Sequence, residues 1–214
     1  MTSRSWSLAA AAAAMLASTA PAEAADAPRI EVTPFVGYRM GGEFDVNDTA
    51  SGSEQTVDVE DAASWGVDVG IYRDRQSFYE FLYSQQTAGL DTGLPTLKGV
   101  DVKTEYFQLG GTLLYPDDQW FVPYLSLTVG AARFDAQSGG YDSETNFSAS
   151  LGGGMRIPVG TNFDVTLGLR GYLTFVDSDS EIFCVGSGSL NCLLRTSGST
   201  YFQGEALLGF TGKF

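Results

Sequence analysis

The sequence predicts an all-β protein, an eight-stranded antiparallel up-and-down transmembrane β-barrel. Eight segments of about ten residues alternate apolar and polar side chains, which is the two-residue period of a strand. Short turns and long polar stretches separate these segments alternately. The 214 residues include 26 glycines, 10 tyrosines and 14 phenylalanines, a composition that favours strands and turns over helices.

The amino-terminal segment has the pattern of an export signal. Arg4 precedes an apolar run over 8–17, and Ala22-Glu23-Ala24 offers the small-x-small pattern that signal peptidase accepts. The run is about ten residues long, too short for a permanent transmembrane helix, and no later segment approaches the roughly 18 apolar residues that such a helix needs. We therefore predict a cleaved signal peptide over 1–24 and a barrel domain over 25–214.

The predicted strands follow in a regular order along the chain. They lie near 30–40, 63–73, 77–87, 104–115, 120–133, 147–157, 163–175 and 201–214. The short links are "RDRQS", "PDDQ" and "PVGTN", and the four other connections are long and polar. An even number of antiparallel strands places both termini on the side of the short turns. This layout is typical of an outer-membrane barrel with its termini in the periplasm and its long loops outside the cell.

Alternation alone does not tell which face points outward, because a soluble barrel alternates equally well with its apolar face inside. One face carries small residues that suit a narrow lumen, namely Gly66, Gly70, Ser126, Thr128, Ser148, Ser150, Gly152 and Gly154. The other carries apolar residues that suit lipid, namely Val67, Val69, Ile71, Leu125, Leu127, Val129, Leu167, Leu169 and Leu173. Aromatic residues gather near the strand ends, as expected at membrane interfaces: Trp65, Tyr115, Trp120, Phe163, Phe175, Tyr201 and Phe214.

Charged residues also lie on the predicted inner face. They are Arg39, Asp68, Glu80, Arg156, Asp164, Arg170 and Glu205. One interpretation is a salt-bridge network that plugs the barrel, because charges in a narrow lumen must be paired. The other interpretation is that these residues line a small pore. Asp68 and Glu80 lie on neighbouring strands at similar depth, so we expect Arg170 or Arg39 to reach between them. Arg170 also neighbours Glu205 on the last strand.

Two cysteines lie in the last long loop. Cys184 and Cys192 flank "VGSGSLN", and exported chains meet an oxidising compartment. A metal site would need more ligands than this loop supplies. We therefore predict a local disulfide between them.

Composition and charge exclude several classes of function. The chain contains no histidine, so the serine–histidine mechanisms of outer-membrane hydrolases have no base, and an acyltransferase or acid-only site is the remaining enzymatic alternative. A net charge of −14 repels nucleic acid. The acidic first long loop is interpreted either as a solvated loop or as a binder of divalent cations, although it lacks EF-hand spacing; its acids are Glu43, Asp45, Asp48, Glu54, Asp58, Glu60 and Asp61. We predict no enzymatic activity, no cofactor and no metal site.

Six stretches together resemble a known family. They are "VTPFVGYRMGG", "YEFLYSQQ", "VKTEYFQLGGTLLYP", "VPYLSLTVGAARF", "LGGGMRIPVG" and "LRGYLTFVDSDSEIFC". The resemblance is to the small outer-membrane β-barrels of Gram-negative bacteria, the OmpA/OmpX type. It implies that the alternating last strand, with Phe210 and the terminal Phe214, is a signal for the barrel insertion machinery. Gly212 departs from that pattern, which prefers a bulky apolar residue two positions before the terminal aromatic residue.

These observations together predict a non-enzymatic, monomeric barrel that contributes to envelope structure and displays acidic extracellular loops. A narrow, porin-like channel or hydrophobic-ligand transporter is one alternative, and an adhesin is another. Expected partners are outer-membrane lipid, the insertion machinery, and lipopolysaccharide, whose phosphates the outward-facing Arg133 could meet.

Overall fold

The computed structural model describes residues 30–47, 54–91, 101–116, 120–137, 143–176, 181–184, 192–196 and 200–214. The predicted signal peptide, 1–24, lies outside these ranges. Within them, no helix has the length and apolar character needed to cross a membrane.

Eight long antiparallel strands close into a barrel. They are β1 (Ile30–Met40), β4 (Ala62–Tyr72), β5 (Ser77–Asp91), β6 (Asp101–Leu114), β7 (Val122–Ala136), β8 (Glu144–Pro158), β9 (Phe163–Phe175) and β12 (Thr200–Lys213). Each pairs with the next, and β1 pairs with both β4 and β12, which closes the ring. All eight predicted strands and the predicted fold class are therefore confirmed.

The register fixes the shape of the barrel. A path across paired residues leaves β1 at Ile30, passes through every barrel strand, and returns to β1 at Met40, ten residues further along. With a rise of about 3.3 Å per residue and a strand spacing of about 4.8 Å, this stagger implies a strand tilt of about 40° and a radius of about 8 Å. Such a lumen has room for side chains and little else.

The two ends of the barrel differ. At one end, here called the turn end, the connections 73–76, 115–121 and 159–162 are short. In the first of them, hydrogen bonds from the Ser77 hydroxyl and the Gln76 amide lower the pKa of Asp74, so its carboxylate holds the turn. The opposite end, here called the loop end, carries the longer connections.

At the loop end, two hairpins extend the sheet where the sequence predicts only polar loops. Strands β2 (Glu43–Asn47) and β3 (Glu54–Val59) form one, and β10 (Glu181–Cys184) and β11 (Cys192–Thr196) form the other. β11 pairs with β2, and β3 pairs with the end of β5. Strands of four to six residues are too short for a convincing alternation, so this prediction of the loops was wrong.

The predicted disulfide lies within the second hairpin. Cys184 and Cys192 are register partners on β10 and β11. Their side chains lie outside the described residues, so the disulfide stays a prediction.

The two faces of the strands are as predicted. The outward Leu127 and Leu169 are 62% and 68% exposed, whereas the inward Ser126 and Thr128 are buried. Small residues on the inner face make room for long ones: a Cβ on Gly152 would lie 2.5 Å from Ser126 Oγ and 3.3 Å from Arg170 Nε. Tyr201 is a correction, because it points into the lumen and is fully buried instead of lying at the membrane interface.

The apolar core sits inside the barrel, mostly near the loop end. Val59, Ala88, Val102, Phe134, Ala136, Val176 and Tyr201 are all buried there. These residues form an apolar layer across the loop-end mouth of the lumen.

Candidate functional site in the barrel lumen

A bidentate ion pair lies near the turn end of the lumen. Arg156 donates from Nη1 and Nη2 to the two carboxylate oxygens of Glu31, each at 2.8 Å, and the Tyr72 hydroxyl donates to Glu31 Oε2 at 2.7 Å. The guanidinium lies 4.9 Å from the centre of the Phe78 ring. Fork-shaped pairing of this kind is among the strongest polar interactions in proteins. Glu31 has the same parity on β1 as Arg39, which is the signal that the sequence analysis missed.

A second ion pair and a chain of hydroxyls stand beside it. Lys213 Nζ lies 2.6 Å from Asp164 Oδ2, and the Lys213 side chain is about one-third exposed at the rim. Thr211 Oγ1 lies 2.8 Å from Thr33 Oγ1 and 2.9 Å from Thr166 Oγ1. The hydroxyls bridge β1, β12 and β9 on the lumen side of the seam between the first and last strands.

The middle of the lumen holds one arginine between two acids. Arg170 Nη2 lies 2.7 Å from Glu80 Oε1 and 3.7 Å from Asp68 Oδ2. The Thr112 hydroxyl donates to Glu80 Oε2, and Arg170 Nη1 donates to Ser150 Oγ at 3.4 Å. Of the two arginines expected to reach between Asp68 and Glu80, Arg170 is the one that does so, whereas Arg39 pairs with Glu205.

A third cluster lies closer to the loop end. Arg39 Nη2 donates to Glu205 Oε1 at 2.9 Å, and both side chains are fully buried. Ser64 donates to the same oxygen at 2.6 Å and Tyr172 donates to Oε2 at 2.7 Å. The guanidinium also packs 4.8 Å from the Tyr172 ring and 5.0 Å from the Tyr106 ring, a cation–π arrangement.

Arg170 neighbours Glu205 on the last strand, as predicted, but its ion pairs are with Glu80 and Asp68. Glu205 on β12 is the register partner of Arg39 on one side and of Arg170 on the other. Arg39 takes the carboxylate, while Arg170 extends its side chain toward β4 and β5. The strand register thus places both Arg39 and Arg170 beside Glu205. The direction in which each arginine side chain extends determines that Arg39 forms the ion pair.

Amides complete the filling of the lumen below the apolar layer. Gln203 Nε2 donates to Gln86 Oε1 at 3.1 Å, and the Tyr106 hydroxyl donates to Gln203 Oε1 at 3.0 Å. Above them the Tyr201 and Phe134 rings meet edge to face, with centroids 5.3 Å apart. The lumen is therefore crossed by layers of paired charges, paired amides and packed rings.

A small cavity remains between the middle cluster and the turn end. The volume open to the centre of a water molecule is about 20 Å³, which is room for one or two waters. Its lining is Thr33, Phe35, Asp68, Thr112, Tyr124, Arg156, Thr166, Arg170 and Leu207. Three buried atoms of lining residues have no protein hydrogen-bond partner in the described part of the chain: Asp68 Oδ1, Arg156 Nε and Arg170 Nε.

Outward-facing charges gather near the loop end of β6 and β7. Lys103 Nζ lies 2.9 Å from Glu105 Oε1, and Glu105 is the register partner of the exposed Arg133. Arg133 Nη2 donates to Ser143 Oγ at 3.2 Å. Within the described residues, no three potential metal-ligating side chains come together; most of the acidic first-loop side chains lie outside that part.

The residues of the predicted insertion signal face outward at the turn end. Phe210 stacks on Phe163 with ring centroids 5.4 Å apart, and Phe214 is 79% exposed. The backbones of Ile30 and Phe214 exchange two hydrogen bonds, 3.2 and 2.8 Å long. The terminal residue therefore also belongs to the closing seam.

Comparisons with known proteins agree with this geometry. OprG from Pseudomonas aeruginosa has a TM-score of 0.58 at 15% identity, over 88% of this chain and 96% of that chain. The outer membrane protein AlkL has a TM-score of 0.57 at 15% identity, over 93% and 97%. Neisserial surface protein A has a TM-score of 0.53 at 14% identity, over 87% and 97%. At these identities the similarity shows the fold alone.

No curated protein matches the sequence significantly. The model of a family described as the outer membrane protein beta-barrel domain matches residues 9–200. Since this match spans most of a chain that closes into an eight-stranded barrel, the protein belongs to the outer membrane β-barrel family, and its location is the outer membrane.

Proposed function

We propose that the protein is a non-enzymatic, monomeric barrel whose closed lumen makes it a structural element of the outer membrane. The observation that carries this proposal is the pairing of charges inside the lumen. Arg39, Arg156, Arg170 and Lys213 each have a carboxylate partner within 4 Å.

Opening a conducting path would break these pairs. Each pair that separates loses its mutual attraction and the hydrogen bonds arranged around it. The cavity between the middle cluster and the turn end, about 20 Å³ in volume, supports the same proposal, because a hydrated ion needs a continuous path several waters wide.

Planar-bilayer recording tests the proposal directly. Refolded wild-type protein, with insertion verified by its heat-dependent gel mobility, is expected to show no steady conductance at any applied voltage. Steady single-channel currents from the wild type would favour the narrow-channel alternative and would overturn the closed lumen.

We propose further that the turn end and both termini face the periplasm. The short turns, together with Ile30 and Phe214, lie at one end of the barrel, and the two hairpins lie at the other. The test uses single cysteines at Ser143 and at Gly160 in a Cys184→Ser, Cys192→Ser background. A membrane-impermeant maleimide should label position 143 on intact cells and position 160 only after permeabilisation; the opposite pattern would reverse the orientation.

Lipopolysaccharide is the proposed lipid partner at the loop end. Arg133 and Lys103 are outward-facing cations on adjacent strands, close to the exposed ring of Phe107. Guanidinium and ammonium groups near the loop end of the outer surface can form charge-assisted hydrogen bonds with the lipopolysaccharide phosphates of the outer leaflet. The double variant Arg133→Gln, Lys103→Gln should retain less lipopolysaccharide on purification, whereas Arg73→Gln, on the opposite end, should retain the wild-type amount. Equal retention by all three proteins would remove this contact.

A further inference from the structure

The charges in the lumen do not balance. The part of the lumen that runs from the Lys213–Asp164 pair at the turn end to the Arg39 cluster contains, among the described residues, five carboxyl groups and four cations. The acids are Glu31, Asp68, Glu80, Asp164 and Glu205, and the cations are Arg39, Arg156, Arg170 and Lys213. Three acids have a cation of their own, so the surplus falls on the two that share Arg170.

The two acids that share Arg170 lie close to each other. Glu80 Oε1 and Asp68 Oδ2 are both within 4 Å of the same nitrogen, Arg170 Nη2. An ionised carboxylate only accepts hydrogen bonds, so two of them cannot bond without a proton between them. Like charges at this separation in a poorly hydrated site repel strongly.

The distances distinguish the two acids. Glu80 Oε1 lies 2.7 Å from Arg170 Nη2, and Glu80 Oε2 accepts the Thr112 hydroxyl. Asp68 Oδ2 is 3.7 Å from the same nitrogen, and Asp68 Oδ1 accepts no hydrogen bond from the described protein atoms. Glu80 therefore has the environment of a carboxylate, and Asp68 that of a neutral acid.

The other charged groups that face Asp68 do not remove the surplus. Arg156 on β8 commits both terminal nitrogens to Glu31 on β1. Tyr124 on β7 lines the same cavity and carries no charge. The cavity beside Asp68 has room for a water that could accept or supply a proton.

We propose that Asp68 and Glu80 share one proton, so that the middle of the lumen is a proton-binding site with Asp68 neutral and Glu80 ionised. The proton makes the lumen electrically neutral without any bound ion. The proposal depends on the contacts of these side chains and not on the structural role proposed above, because a conducting barrel could hold the same proton.

Infrared spectroscopy of the barrel in lipid tests the proposal. The wild type at neutral pH should show the carbonyl stretching band of a protonated carboxyl group. Asp68→Asn should lose the band because the protonated group is gone. Glu80→Gln should lose it too, because Asp68 then has Arg170 to itself and ionises. The control Asp164→Asn should keep the band, since Asp164 has its own cation.

Stability against pH gives an independent readout. Above about pH 4 the unfolded chain releases the proton of Asp68, whereas the folded barrel holds it, so raising the pH favours unfolding. If the folded state retains one proton that the unfolded state releases, the equilibrium constant for unfolding rises tenfold for each unit by which the pH is raised. Urea titrations in lipid vesicles should show this slope for the wild type relative to Asp68→Asn.

The infrared carbonyl band decides the outcome. Its absence from the wild type, or its survival in Asp68→Asn, would overturn the proposal even if a variant fails to fold.

Discussion

Arg170 illustrates how much one buried side chain can contribute to the stability of a narrow barrel. It is buried, it pairs with Glu80 at 2.7 Å, and it is the cation nearest to Asp68. Replacing it with methionine keeps most of the volume and removes the charge. We expect Arg170→Met to lower the free energy of unfolding by about 3–5 kcal/mol, because the buried Glu80 carboxylate then loses its counter-charge.

The same variant should change conductance. An uncompensated carboxylate in the lumen attracts water and cations, so we expect cation-selective currents from Arg170→Met where the wild type is silent. The matched control is Lys103→Ala, Glu105→Ala, which removes an ion pair of similar length from the outer surface. A methionine variant as stable and as silent as that control would remove Arg170 from this role.

At the scale of single elements, β12 combines two tasks. Phe214, which directly follows it, faces outward as the predicted insertion signal requires, and the Phe214 backbone closes the seam with Ile30. Deleting Phe214 removes both features, whereas Phe214→Ala removes only the ring. We expect both variants to insert poorly in cells and only the deletion to lose stability in detergent. Wild-type surface levels of Phe214→Ala would show that the ring is no signal.

The second hairpin is the other element that carries a prediction. Register partners on antiparallel strands have Cα atoms about 4.5–5.5 Å apart, within the range that a disulfide spans. Mass mapping of unreduced protein should show Cys184 joined to Cys192. Because the short ring lies outside the barrel, replacing both with serine should change barrel stability little. Two alkylated cysteines in unreduced protein would exclude the bond.

At the scale of the whole molecule, the outer surface decides the environment in which the chain folds. Large apolar side chains are exposed on every barrel strand, among them Val36, Leu109, Leu127, Leu169 and Leu208. Such a belt far exceeds the apolar patches that soluble proteins tolerate. We expect strand-rich circular dichroism and heat-dependent gel mobility in detergent or lipid, and aggregation in plain buffer. A monodisperse detergent-free fold would contradict the membrane assignment.

The strands and their faces could be predicted because both follow from the alternation of apolar and polar residues along a short stretch of chain. Side chains of a strand alternate between two sides, so the position of Leu127 or Ser126 along the chain already indicates its face. The same rule, applied to Arg39, would have found Glu31. The four strands of the two hairpins are too short for this signal, and they are held by pairing with each other and with β5.

The sequence by itself determined an eight-stranded barrel with polar, charged residues inside, because a period of two needs no knowledge of distant contacts. Only the tertiary structure decided the stagger of ten residues and the partner of each charge. Glu205 faces two arginines in register, and Arg170 meets acids on β4 and β5, which are remote in sequence. Such choices depend on the radius of the closed lumen and on how far each side chain reaches across it.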